Sequence, residues 1–330
     1  MYDRLILWRK DRGRIVQYLR RRHKMARGNY VSLHGYVNSV NVFVDQNIAQ
    51  ASIVVARGTR PTGDAKQRTL DLIMIMTNKP EQVTEMATWQ KYDVVEVWGV
   101  LAVISKARRA HVCKHCHETI SVDGTSAYVY PKFVKLHTRF ERGNGDVDDK
   151  GLETQCKLFL EEHKEVSNTA LVFGRLCNDP KRKTLNKGLT LTEYQIAVNR
   201  LYRVTLDDSE AKTDFIWVKA YGSRGADDAK YLHQNSEICI DGFIQSRKVQ
   251  QHAVCPLCGG SYDWELRVLE IVPYTSEYLG DFYNPEEAEQ KEQEKIRQQA
   301  QSVLSTLKGA TKKEDAFAGI DFGEGLSTEN

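Results

Sequence analysis

The chain contains no apolar run of roughly eighteen residues, so no segment is built to cross a bilayer as a helix. Its early LILW is followed by charges and lacks a small-residue cleavage site, unlike a secretory leader. Three catalytic patterns are missing: the phosphate loop GxxxxGK[ST], the HExxH metal-hydrolase pair, and an HxE followed by PCxxC. An enzyme is therefore not expected, and no catalytic residue is assigned. The acidic DVDD run lacks the spaced ligands and terminal Glu of a calcium loop and reads as a solvated linker. Net charge is nearly absent at +3. Seven cysteines, an odd count, do not suit a disulfide framework; four fall in CxxC pairs, which points to a reducing, cytoplasmic setting and metal ligation.

Charge is unevenly distributed along the chain. Residues 1–28 carry ten Arg or Lys against two Asp, whereas residues 314–330 carry five acids and no base. A basic head of this kind, with Leu5, Trp8, Ile15 and Leu19 interspersed, reads as an amphipathic helical arm. It either binds phosphate or packs on the first domain. A length of 330 residues suits about two domains.

The most legible stretch runs from Asn168 to Val249. Short β-branched and aromatic runs are punctuated by Gly, Asn-Asp-Pro and Asp-Asp, as in strands joined by turns. In TDFIWVKAYG the period of two sends Ile216, Val218 and Ala220 to one face and Phe215, Trp217, Lys219 and Tyr221 to the other. An exposed row of rings and ammonium groups suits a flat anionic ligand such as unpaired bases with their phosphates.

GRLxxDP, IAVNR before Tyr202, TDFIWVKAYG, the Tyr231-Leu232 pair and DGxIQSRK occur in one order over about 80 residues. Together they resemble the oligonucleotide-binding (OB) domain of bacterial single-stranded DNA-binding proteins. The resemblance implies a five-stranded Greek-key barrel that holds single strands by stacking and phosphate contacts, with Tyr202, Phe215 and Tyr221 at base-stacking positions.

The same pattern occurs earlier in the chain. NYVSLHGYV parallels NTALVFGRL, TLDLIMIMT parallels KTDFIWVKA, and VEVWGVL parallels CIDGFI. Asp71 to Asp214 and Gly99 to Gly242 are both 143 residues apart, and Cys113 to Cys255 is 142. The expected fold is thus all-β with helical extensions: tandem OB barrels, each with a CxxC hairpin between strands 4 and 5. The expected divisions are a basic arm over 1–28, a first OB domain over 29–137, and a linker with a short helix over 138–166. A second OB domain over 167–280, a helix over 281–309 and a disordered acidic tail over 310–330 complete the set.

The copies differ on the ligand face. Leu72, Met74, Met76 and Asn78 replace the aromatic-basic row, and Thr59 replaces Tyr202, so the second domain is expected to be the main binder. Trp98 and Tyr36 could restore some stacking to the first domain, while strand and helix context makes Trp98 and Trp89 core candidates. Around the second domain's rings, Arg175, Lys181, Arg182, Lys183, Arg200, Arg203, Arg247 and Lys248 cluster as candidate phosphate contacts. Trp264 is a candidate either for stacking or for burial.

VCKHCHE and VCPLCGG look like zinc knuckles, each supplying two of the four thiolates a closed structural site needs. Three arrangements stay open. Cys113, Cys116, Cys255 and Cys258 share one zinc; or each pair completes its own site with His111, His115 or His117, or with His252; or the pairs meet across a dimer. Near the C-terminus Phe317, Ile320, Asp321 and Phe322 lie among acids and resemble the tail by which the family recruits replication and repair proteins. The expected function is coating of single-stranded DNA in replication, recombination, repair or transfer of a replicon. Two barrels per chain imply a homodimer by the family's count. The alternative is a zinc-braced interaction scaffold that binds nucleic acid, DNA or RNA, only weakly.

Overall fold

The computed structural model describes residues 28–58, 70–140, 149–185, 188–199, 213–285, 289–290 and 293–302, without the side chains of 105–111 and 122–123. The chain separates into two compact units, Met1–Phe282 and Tyr283–Asn330. Within the second unit residues 293–302 are helical and exposed, including Ile296. None of the helices described is long and apolar enough to cross a membrane.

In the first unit the strands are β1 (Gly28–Phe43), β2 (Ile48–Ala56), β3 (Leu70–Thr77), β4 (Val94–Val112) and β5 (Thr119–Thr138), with helix α1 (Pro80–Ala87) between β3 and β4. Helices α2 (Asp149–Glu162) and α3 (Lys164–Ser167) then lead into β6 (Asn168–Leu176), β7 (Lys181–Thr184), β8 (Thr190–Asn199) and β9 (Thr213–Tyr221). Helix α4 (Gly222–Tyr231), β10 (Glu237–Val254) and β11 (Ser261–Gly280) complete the series. The sheet order β2-β3-β5-β4-β1 closes through a β1–β2 pairing, and β6-β10-β11-β9-β8 closes through β6–β8. Each circuit has the strand order of an OB barrel. Alternation explains the closure: Ile53, Ile73 and Ile75 in the first barrel and Ile196, Ile216 and Val218 in the second are fully or almost fully buried. Each such side chain contributes about 1.5–3 kcal/mol.

The repeat seen in the sequence is visible as repeated contacts. β5 and β11 both carry a bulge opposite a glycine, at Lys132 facing Trp98 and Gly99 and at Tyr274 facing Asp241 and Gly242. A Cβ at Gly99 would lie 2.3 Å from the Tyr130 carbonyl oxygen, and at Gly242 2.2 Å from that of Val272, so only glycine fits opposite either bulge. Buried Asn29 and Asn168 each bracket one strand residue: their amides donate to the carbonyls of Leu101 and Ile244 at 2.8 and 2.7 Å. They also accept from the same residues' N–H groups at 2.9 and 3.0 Å.

Antiparallel pairing of β1 with β6 joins the barrels around a pseudo-two-fold. Two reciprocal hydrogen bonds reinforce it: Val103 N–H donates to Asp214 at 2.7 Å, and Ser246 N–H donates to Asp71 at 2.8 Å. Both aspartates are buried, and Asp71 also pairs with Arg57 at 2.5 Å. Asp214→Ala is expected to cost about 1–3 kcal/mol of stability, the cost of a stranded buried N–H, read as a lower urea midpoint. Asp71→Ala should cost at least as much, because it also strands Arg57.

Helix α4 plugs the second barrel with Asp228, which is fully buried and accepts hydrogen bonds from Tyr194 and Tyr278, each at 2.8 Å. Burial pushes its carboxyl from 3.8 up to about 6, against the pull of those two hydroxyls. The folded state therefore holds this proton more tightly than the unfolded chain does. The stability it contributes is complete at low pH and is lost as pH rises through about 6. Asp228→Asn should gain stability relative to the parent as pH rises from about 5 to 7, read by thermal melts across that range.

Candidate nucleic-acid interface and metal centre

Strand β9 alternates as its sequence dictates. Ile216, Val218 and Ala220 are buried, while Phe215 and Trp217 stand outward at 38% and 46% exposure. Across β8, Ala197 faces Phe215, Gln195 faces Trp217, Glu193 faces Lys219 and Leu191 faces Tyr221. The half-buried Tyr221 therefore ends the outward row at the helix start.

Lys219 differs from expectation. Its side chain is only 10% exposed and lies between Glu193 at 2.7 Å and Glu270 at 3.5 Å. Lys183 pairs with Glu193 on one side, and Arg247 pairs with Glu270 at 2.7 Å on the other. The result is an alternating ladder, Lys183–Glu193–Lys219–Glu270–Arg247, spanning the barrel beside the rings. Burial alone would raise the Glu193 carboxyl, but hydrogen bonds from Lys183 and Lys219 hold it below the usual carboxylate range. Lys219 thus fixes strand geometry, with its charge shared between two carboxylates. The two glutamates are the residues that the sequence reading missed. For Glu193 the signal was the period of two in TEYQIAV, which puts Glu193 and Gln195 on the ring face; Glu270 comes from β11 and had no such local signal.

The other candidate cations divide into two sets. Lys181 and Arg182 are exposed on β7, the strand at the edge of the sheet. Arg175 is paired with Glu237, and Lys248 with Glu265 at 2.7 Å. Exposed pairs of this kind contribute little and exchange readily for phosphate. Trp264 is half-buried against the cysteine cluster at the hairpin tips, away from Phe215 and Trp217 in the sheet. Arg200, Tyr202 and Arg203 lie outside the described residues, as do Phe317, Ile320, Asp321 and Phe322, Thr59, and residues 1–27 of the basic arm.

The first barrel's matching face is filled by its own side chains. Met76 packs against Val100, Ala102, Tyr128 and Tyr130, and Tyr130 donates to Asn78 at 2.9 Å. Met74 alone stands well out, at 43% exposure. Tyr36 cannot restore stacking there, because it is buried with Tyr92 under Leu152, Cys156 and Leu160 of α2. Trp89 is buried too, whereas Trp98 is exposed beside Phe133, their ring centroids 5.7 Å apart.

The long hairpins β4–β5 and β10–β11 bring all four knuckle cysteines together within one chain. Their sulfurs lie within 4.8 Å of one another, with Cys113–Cys258 and Cys116–Cys255 each at 3.8 Å. Both turns are built alike. The Cys113 and Cys255 N–H groups donate to the carbonyls of Glu118 and Gly260, and His117 and Gly259 take positive φ to donate back. Tetrahedral zinc with bonds of about 2.3 Å places its sulfurs about 3.8 Å apart, so the four thiols fit such an ion. The Cys116 N–H, with that of His115 and nearby thiols, pulls the Cys113 thiol below its usual range despite burial. Burial and the neighbouring thiols push Cys116 up although Glu118 N–H pulls it down. Cys116 thus resists becoming a thiolate beside Cys113 unless a cation joins them. His115 is spent elsewhere: its Nε2 meets the Ser261 carbonyl at 2.9 Å, while Lys114 donates to that of Asp263 at 3.1 Å. The first knuckle therefore also grips the second hairpin's backbone.

Comparison with known proteins gives a family match over the second barrel. Residues 167–253 match the profile described as the single-strand binding protein family. Over 136 residues the chain is 26% identical to single-stranded DNA-binding protein 1 of Staphylococcus aureus strain MSSA476, covering 41% of this chain and 78% of that protein. Over 83 residues it is 32% identical to the single-stranded DNA-binding protein of Lactiplantibacillus plantarum, covering 25% of this chain and 40% of that one. The crystal structure of the wild-type single-stranded DNA-binding protein of Thermus aquaticus is 14% identical and covers 77% of this chain and 94% of its own, with a TM-score of 0.46.

Proposed function

We infer that this protein, whose residues 167–253 match the single-strand binding protein family, is a single-stranded DNA-binding protein that covers unpaired strands through its second barrel. The observation that carries the placement is the exposed Phe215–Trp217 row on β9. Bases stack on those rings, worth ~1–3 kcal/mol each, while Lys181 and Arg182 on β7 take the adjoining phosphates. The first barrel serves mainly as the pseudo-symmetric partner that holds the second in shape. Arg175 and Lys248 join as phosphate contacts by exchanging their carboxylate partners, and Arg247, half-exposed at the end of the ladder, adds its free edge. The resemblance adds Tyr202, Arg200 and Arg203, outside the described residues, as further contacts to the strand.

The metal is zinc, one ion per chain, held by Cys113, Cys116, Cys255 and Cys258 as a closed structural centre. Support comes from the sulfur spacing and from the way the two hairpins need a common anchor at their tips. Work in replication, recombination or repair, partner recruitment through Phe317, Ile320, Asp321 and Phe322, and a homodimer carrying four barrels follow from the family's usual habits. Mass measurement at working concentration tests the dimer, which a monomer would contradict.

The direct test of function is titration with an oligothymidine strand, the matching duplex and the same sequence as RNA, each at low and high salt. Tight binding to the single DNA strand is expected, with log K falling by about 0.7 per phosphate contact for each log unit of salt. Weak, salt-insensitive binding to every strand would instead identify a protein scaffold.

A further inference from the structure

Three histidines meet where the connecting helix lies on the first barrel, and nucleic-acid binding makes no use of them. His34 projects from β1, His137 from β5, and His163 from the junction of α2 and α3. The His34 ring centroid lies 4.7 Å from that of His137 and 5.8 Å from that of His163, both edge to face. Phe159 of α2 fills the space between them: it stacks on His163 at 4.3 Å and meets the edge of His34 at 5.0 Å. The same residues anchor the backbone. Ser167 at the end of α3 donates to the His34 carbonyl at 2.6 Å and accepts from Ala56 N–H at 2.8 Å.

The surroundings favour a neutral ring at His34. His163 Nδ1 lies 2.9 Å from the Phe159 carbonyl, and His137 Nδ1 lies 2.8 Å from Thr138 Oγ1. His34 Nε2 is buried without a partner. A proton there would have no acceptor and would face two other imidazoles. The charged groups around the trio do little to offset this. Glu96 of β4 sits opposite His34 in the ladder, but Lys135 of β5 sits opposite Glu96. On the connector, Lys164 is already paired with Glu161.

We propose that His34, His137 and His163 form a proton-sensitive joint, which clamps the α2–α3 connector to the first barrel near neutral pH and loosens it in mild acid. Burial, then His137 and His163, depress the His34 imidazole to about 4, and burial foremost lowers His137 despite Glu96. These are bases whose folded values are depressed. The stability they confer is therefore present above the ordinary histidine value of about 6.5 and is lost as pH falls toward the folded values. The connector runs directly into β6, the strand that pairs with β1, so loosening it relaxes the covalent tie between the barrels without touching the rings of β9.

Hydrogen exchange of the full-length protein, followed by mass spectrometry over residues 149–167 and corrected for the intrinsic pH dependence of exchange, tests the joint. Opening of this segment should rise at least about tenfold between about pH 7.5 and pH 5.5, while β8 and β9 stay protected. His163→Phe keeps a ring on Phe159 but removes the imidazole that faces His34, and it should flatten that rise. His34→Leu should do the same if it folds, and His163→Phe decides the matter if it does not. An unchanged rise in His163→Phe, or no rise in the parent protein, would overturn the proposal.

Discussion

Trp217→Ala is expected to weaken binding to an oligothymidine strand by about tenfold to a hundredfold, the equivalent of one lost base stack at ~1–3 kcal/mol. The ring is nearly half exposed on a strand whose opposite face is fully packed, so its removal opens no cavity. The melting temperature should hardly move. Phe215→Ala should behave likewise, and Met74→Ala, at the matching position of the first barrel, should leave affinity almost unchanged. Lys219→Ala should instead lower stability. It leaves Glu193 and Glu270 without their shared cation, two partly buried carboxylates on one face. If Met74→Ala and Trp217→Ala weaken binding alike, the division of labour between the barrels is wrong.

The second large effect concerns the metal. Purified protein should contain about one zinc per chain, and Cys255→Ser or Cys113→Ser should remove it, since both sulfurs are buried at the centre. Cys258→Ser, on the exposed side, should retain a weakened site. Losing the ion should release the hairpin tips, where Ile120 and Tyr262 pack with the cysteines in a cluster separate from the barrel cores. Both barrels should therefore stay folded, and protease should cut near Cys116 and Leu257 first. Two ions per chain would mean that each knuckle completes its own site.

Much of this was legible in the sequence because closed barrels impose a strict alternation. TDFIWVKAYG separates into core and ring face residue by residue, and the offset of 143 between Asp71 and Asp214 foretold a duplicated contact whose partners, Ser246 and Val103, only the fold could name. The four cysteines were readable for a similar reason, since two incomplete pairs at matching positions invite one centre. Long-range pairing hid the remainder. Lys219 sits in a binding-like row, yet its charge is consumed by Glu193 from the neighbouring strand and by Glu270 from a strand about fifty residues later. Tyr36 alternates outward like any ligand-facing ring, but α2 is laid over it, and nothing local announces that cover. Trp264 alternates on a hairpin that the cysteine cluster bends into its own small core.

Photo-crosslinking of an oligothymidine strand carrying 5-iodouracil, followed by mass spectrometry of the attached peptides, reports directly where bases rest. Attachment at Phe215 and Trp217 is the expected result. Attachment confined to Trp98 and Phe133 of the first barrel, with the β9 peptide unlabelled, would contradict it.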